Sequence, residues 1–238
     1  MTLRPAPLTD TSALAANLAA LRERIAAAGG ADVRIVAVTK GFGARAWAAA
    51  HAVGLDEIGE NYGQELLVKV AEHREGDAGF SLPAIHFLGA VQRRKVRLLA
   101  PYVTCWQGVA RAAEGEEIAR RCPGAAVMVE VNADGSPGRN GCSPGEVGPL
   151  VEKLQAMDLG VQGLMTVAPR PPDAARRVFQ LVRGLADDLG LPERSMGMSQ
   201  DLDLALSEGS TMIRVGEALF GDRPRPGVPG ATQDPGPG

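Results

Sequence analysis

Apolar residues recur along the chain in two rhythms. From Asp10 to Ala28, Leu14, Leu18, Leu21 and Ile25 fall three and four positions apart, the spacing of one helix face. Polar residues open this segment and Gly29-Gly30 ends it, so an amphipathic helix is predicted there. Downstream the pattern changes to short apolar runs with β-branched residues. They lie near Val33–Val38, Glu57–Ile58, Ile85–Leu88, Val103–Trp106, Val127–Val131, Val161–Leu164, Arg194–Met196 and Met212–Val215. Helical patterns separate them, clearest at Val147, Leu150, Val151 and Leu154 and at Val178, Leu181, Val182, Leu185 and Leu189.

Eight strand candidates, each followed by a helix, predict a parallel sheet covered by helices. Eight such units close an α/β barrel of the TIM-like (β/α)8 type, and 238 residues approach its usual size of about 250. The second and seventh runs are the weakest, so on pattern alone an open doubly wound sheet stays possible. The expected organisation is a single (β/α)8 domain over 1–222 with the extra N-terminal helix. Arg223 to Gly238 holds five prolines and four glycines with no apolar periodicity, and is expected to be a disordered tail.

Composition narrows the function classes. Net charge is -3 and the pI about 5.7, which offers no electrostatic grip on nucleic acid or an anionic membrane. The tightest basic cluster, Arg93, Arg94, Lys95 and Arg97, reads as a solvated helix start. Cys105, Cys122 and Cys142 form no CxxC pair, so neither a zinc site nor a disulfide framework is expected and the thiols should be reduced. Met1 to Asp10 has no apolar leader core and no stretch nears a membrane span. A soluble, cytoplasmic protein is the expectation, monomeric by default.

Candidate chemistry gathers where strands end, the place a barrel of this kind puts its active site. Lys40 closes the run Ile35 to Thr39, and Gly41-Phe42-Gly43 turns the chain after it. A desolvated lysine can lose its proton and attack an aldehyde; the plainer reading is a side chain that only reaches past the strand end. Asn61, in Gly59-Glu60-Asn61-Tyr62, could contact a ligand or merely cap the next helix. His86 reads as a hydrogen-bonded core residue, His51 and His73 as helix-surface residues, and no metal triad is apparent. The loop from Asn132 to Gly141 has neither nucleotide-binding fingerprint; Asn132 and Arg139 are its two candidates for facing a ligand. Gly197-Met198-Ser199 is not a nucleophile elbow, because Asp201 stands in place of the second glycine. Ser199 after the seventh strand and Arg214, Gly216 and Glu217 at the eighth fall where barrels bind phosphate. Ser199 could equally be a helix N-cap. A lysine that seeks aldehydes and a phosphate cup together suit a phosphorylated aldehyde such as pyridoxal phosphate.

An ordered set of motifs carries a resemblance. It comprises Val36 to Lys40, Gly59-Glu60-Asn61-Tyr62 with Gln64-Glu65, and His86-Phe87-Leu88-Gly89 with Gln92 and Lys95. It continues with Val131-Asn132, Gly163-Leu164-Met165, Met196 to Ser199 with Asp201, Gly209-Ser210-Thr211, Arg214-Val215-Gly216 and Phe220-Gly221. From about Asp10 to Gly221 the chain resembles the pyridoxal-phosphate homeostasis protein family, single-domain relatives of the alanine racemase barrel. The resemblance implies that Lys40 carries the cofactor as a Schiff base. It implies that Ser199 and the backbone near Gly216 and Glu217 bind the phosphate, with Asn61 nearby, and that Arg214 faces the pyridine nitrogen. A guanidinium there keeps that nitrogen unprotonated and weakens the ring as an electron sink. Two positions depart from the family: Arg94 stands for an asparagine and Arg139 for a lysine.

The implied function is intracellular storage, buffering or delivery of pyridoxal phosphate, possible recipients being other enzymes that use it, with effects on amino-acid and keto-acid balance. No catalytic residue is expected. The alternatives are a racemase of narrow scope, a cofactor-free Schiff-base aldolase and a purely structural module. Alanine racemases complete their site with a tyrosine from a C-terminal β-domain. The only tyrosines here, Tyr62 and Tyr102, fall inside the barrel, so racemisation would lack its second acid/base.

Overall fold

Strands form at all eight apolar runs, and their order in space is their order in the chain. The computed structural model describes residues 11–30, 32–76 and 79–221. The strands are β1 (Arg34–Val38), β2 (Glu57–Glu60), β3 (Ala84–Phe87), β4 (Val103–Val109), β5 (Ala126–Glu130), β6 (Gly160–Met165), β7 (Glu193–Ser195) and β8 (Met212–Val215). All pair in parallel, and β8 closes on β1 with Val36 opposite Arg214. The sheet is therefore a closed barrel, which removes the open-sheet alternative.

Helices α2 (Arg45–Ala52), α3 (Gly63–Glu75), α4 (Arg93–Leu99), α5 (Ala112–Arg121), α6 (Val147–Ala156), α7 (Pro172–Asp188), α8 (Leu202–Ser207) and α9 (Glu217–Phe220) follow the strands in turn. The predicted N-terminal helix is α1 (Thr11–Ala27), burying Leu14, Leu18, Leu21 and Ile25. It packs on α9, α8 and α2, and Asn17 Nδ2 donates to the Leu219 carbonyl at 2.9 Å. The final helix has four residues, too few to cover the β8–β1 seam, and α1 supplies the missing apolar face. In α7 the buried residues are Ala175, Val178, Phe179, Val182 and Ala186. Leu181, part of the predicted stripe, is 40% exposed, because the buried stripe runs through Phe179, two positions earlier.

Alternation along each strand sorts side chains into two layers. One large apolar cluster fills the space between sheet and helices, while Val36, Cys105, Met128, Met165 and Met212 form a separate small one inside the barrel. The polar residues that weaken the pattern of β7 and interrupt β3 and β4 also point inward. Ser195, Gln107 and His86 are buried there and joined by hydrogen bonds. His86 is thus the core residue expected of it. The three cysteines are free. The basic side chains at the start of α4 are exposed at Arg93 and Arg94. Among the described residues no helix is long and apolar enough to cross a membrane. The tail expected over 223–238 and the first ten residues lie outside the described residues.

Candidate functional site

A cavity of about 520 Å³ opens at the C-terminal ends of the strands, and the six residues that the family resemblance assigns to the cofactor line it: Lys40, Asn61, Ser199, Arg214, Gly216 and Glu217. Parity explains the convergence. Val36, Val38 and Lys40 share the inward side of β1 and its extension, as do Gly59 and Asn61 beyond β2 and Met212, Arg214 and Gly216 at β8. Val38, Leu88 and Met165 supply apolar wall, and Arg139, Arg170 and Asp201 add charge.

Lys40 is half-buried between two restrained peptide groups. Lys69 Nζ donates to the Thr39 carbonyl at 2.7 Å, and the Gly41 amide donates to Glu65 Oε1 at 2.6 Å. Gly41 has φ 82°, a left-handed turn that glycine adopts without strain.

Asn61 does not cap α3. The N-cap position belongs to Tyr62 and has no side-chain cap, while Asn61 Oδ1 is buried with no hydrogen-bond partner. A buried acceptor left unmade is costly, and this one sits beside the cavity. Ser199 likewise does not cap α8, whose N-cap position is Asp201. Its Oγ instead accepts the Ala218 amide at 3.4 Å, which links the loop after β7 to the first turn of α9. Asp201 Oδ1 accepts from the Met198 amide at 2.6 Å and fixes that loop. At Gly216 a Cβ would lie 3.1 Å from the Val38 carbonyl oxygen, so the turn after β8 passes close to the end of β1.

Arg214 is 5% exposed. Nη1 donates to the Ser195 carbonyl at 2.6 Å and to Ser195 Oγ at 2.8 Å, and Nη2 to the Thr166 carbonyl at 2.7 Å. Burial pushes its pKa down to about 10 against the attraction of Glu130 and Asp201, so it is still a cation at neutral pH. Ser195 Oγ passes the chain to Gln107 Oε1 at 2.7 Å, and Gln107 Nε2 to His86 Nδ1 at 2.7 Å. His86 Nε2 faces Glu57 Oε2 at 3.4 Å.

Of the loop candidates, Arg139 reaches the cavity and donates to the Val167 carbonyl at 2.6 Å. Asn132 does not line the cavity. Its amide exchanges hydrogen bonds with Ser136 and holds its own loop together. Arg94 lies on exposed α4, away from the cavity. Two things escaped the sequence reading: Arg170 on the cavity rim, and the buried network of Glu60 and Lys69 beneath Lys40. A lysine at 1% exposure on a helix looks locally like half of an ordinary i, i+4 pair with Glu65, since its other two partners come from 30 and nine positions away.

Residues 9–224 match the family described as the alanine racemase N-terminal domain. The Pseudomonas aeruginosa pyridoxal phosphate homeostasis protein is 36% identical over 228 residues, covering 89% of this chain and 96% of that one. The protein of the same name from Deinococcus radiodurans is 38% identical over 217 residues, covering 86% and 98%. Among solved structures, PipY of Synechococcus elongatus with pyridoxal phosphate bound is 29% identical with a TM-score of 0.76, over 87% of this chain and 100% of that one. On its barrel, its ordered motifs and this agreement along nearly the full length of its relatives, the chain belongs to the pyridoxal phosphate homeostasis protein family, within the wider group defined by the alanine racemase N-terminal domain.

Proposed function

We propose that this chain binds pyridoxal phosphate, with Lys40 as the Schiff-base lysine, and holds the cofactor for storage, buffering or delivery. The observation that carries the reading is the meeting of an amine after β1 with Ser199, Arg214 and the Gly216–Glu217 backbone in one cavity. Pyridoxal phosphate supplies an aldehyde, with which the Lys40 amine condenses and releases water. Ser199 and the backbone at Gly216 and Glu217 bind the phosphate, with Asn61 beside them. Arg214 stands toward the ring nitrogen as a group that donates but does not accept. The residues present suit such a ligand, since cationic and hydroxyl groups meet apolar wall.

A racemase reading needs a second proton-transfer group, commonly worth about 10²–10⁴-fold. Neither Tyr62 nor Tyr102 lines the cavity, and Tyr102 accepts from Arg74, which favours holding over turnover. Delivery to other enzymes and an effect on amino-acid and keto-acid balance follow from a carrier role. The experiment is borohydride reduction of the cofactor-loaded protein followed by peptide mapping. The label is expected on Lys40 and absent from Lys40→Ala, with Lys95 and Lys153 as controls. Label on either control in preference to Lys40, or none on the wild type, would overturn the assignment.

A further inference from the structure

We infer that Glu65 and Lys69 are positioning residues for Lys40: one ion pair on α3 grips the peptide groups on both sides of the reactive lysine. The inference rests on Lys40 carrying the aldehyde, as proposed above. Lys69 Nζ has three acceptors, the Thr39 carbonyl at 2.7 Å, Glu60 Oε1 at 2.7 Å and Glu65 Oε1 at 2.8 Å. These match the three protons of an ammonium, which is how a lysine at 1% exposure escapes the cost of an unpaired buried charge. Glu65 Oε1 also accepts the Gly41 amide at 2.6 Å. The carbonyl before Lys40 and the amide after it therefore end on the same i, i+4 pair.

The grip extends in both directions. Glu72, one turn further along α3, accepts the Ala44 amide at 3.0 Å, so positions 65, 69 and 72 form one rail along the loop from Thr39 to Ala44. Beneath it, Glu60 Oε1 also accepts from Thr39 Oγ1 at 2.6 Å and Trp47 Nε1 at 3.1 Å. Burial pushes the Glu60 carboxyl up against the pull of Lys69. So many buried polar groups around one loop are out of proportion to holding a turn. They suit fixing where the next side chain starts. The arrangement also gives a purpose to Glu65 of the Gln64-Glu65 motif, which the cavity does not use.

The test compares wild type, Glu65→Ala and Lys69→Met, with Lys69→Arg as the conservative variant. Hydrogen exchange at the Gly41 amide, read before any cofactor is added, should quicken at least tenfold in Glu65→Ala. Pyridoxal phosphate should bind Lys40 about tenfold more weakly in Glu65→Ala and Lys69→Met, the order expected from releasing one backbone residue, at temperatures where circular dichroism shows both folded. Lys69→Arg should recover part of the affinity. If Lys69→Met does not fold, Glu65→Ala, altered at a side chain 25% exposed, carries the test. Folded variants with wild-type affinity and wild-type Gly41 exchange overturn the clamp and leave the proposed function intact. A wild type that never links the cofactor to Lys40 overturns both.

Discussion

Removing the Ser199 hydroxyl separates phosphate recognition from every other part of binding. In the protein alone this oxygen makes one long contact, the Ala218 amide at 3.4 Å, at the weak end of hydrogen-bond geometry. Ser199→Ala should therefore change folding stability by no more than about 0.5 kcal/mol. Toward a phosphate oxygen the same hydroxyl would make a charge-assisted bond contributing roughly 1.5–3 kcal/mol, which is about ten- to hundred-fold in Kd. The assay is an absorbance titration of the cofactor-free protein with pyridoxal phosphate, repeated with pyridoxal, which keeps the aldehyde and lacks the phosphate. Wild type and variant against the two ligands form a double-mutant cycle. The loss should appear with pyridoxal phosphate and vanish with pyridoxal. Equal losses for both ligands would mean that Ser199 acts on the loop rather than on the phosphate. No loss for either would remove it from the site.

Two further outcomes test the frame around the cavity. At Gly89 a Cβ would fall 2.1 Å from the Asn61 carbonyl oxygen, a backbone atom that cannot swing aside. Gly89→Ala should cost about 1–3 kcal/mol of stability and weaken cofactor binding by shifting Asn61, and an unchanged urea midpoint would contradict that close approach. At the base of the barrel, burial raises the Glu57 carboxyl, but hydrogen bonds from His86 and Arg34 and the Arg34 charge outweigh it and hold the group below its ordinary 4.5. A depressed carboxylate stabilises the fold fully above its unfolded value, and that contribution is lost as pH falls through the folded one. Urea midpoints should therefore drop as the pH falls below 4.5, less steeply in Arg34→Met than in wild type; parallel curves would show that the pair at 3.0 Å does not set the acid limb.

Much of this was legible in the chain because a barrel strand obeys a simple alternation. Lys40, Asn61, Arg214 and Gly216 could be placed near strand ends from the apolar runs alone, and counting by twos from Val36, Gly59 or Met212 puts them on the cavity side. The errors lie where strand alternation no longer applies. Position after a strand did not separate Asn132, which holds its own loop, from Arg139, which reaches the cavity. In α7, Leu181 looked buried from its helical spacing, yet the helix turns Phe179 to the sheet instead. Lys69 was legible only as a helix lysine, since its burial depends on Thr39 and Glu60 arriving from other elements.

The hydrogen bonds inside the barrel bear on the holding role proposed above. They run one way: Arg214 donates to Ser195 Oγ, Ser195 to Gln107 Oε1, and Gln107 Nε2 to His86 Nδ1. His86 Nδ1 then accepts, so the ring proton sits on Nε2, facing Glu57. Reversing any link would leave a buried donor facing a donor, a cost of about 1–3 kcal/mol for each group left unmade. The chain therefore fixes Arg214 as a donor at both Ser195 and Thr166, and with a pKa of about 10 it keeps its proton at neutral pH. A group so held can accept no proton from a ring nitrogen and give none up, so it fits binding and orientation. A partner that keeps that nitrogen protonated would strengthen the ring as an electron sink, and a donor-only guanidinium anchored from beneath weakens it instead.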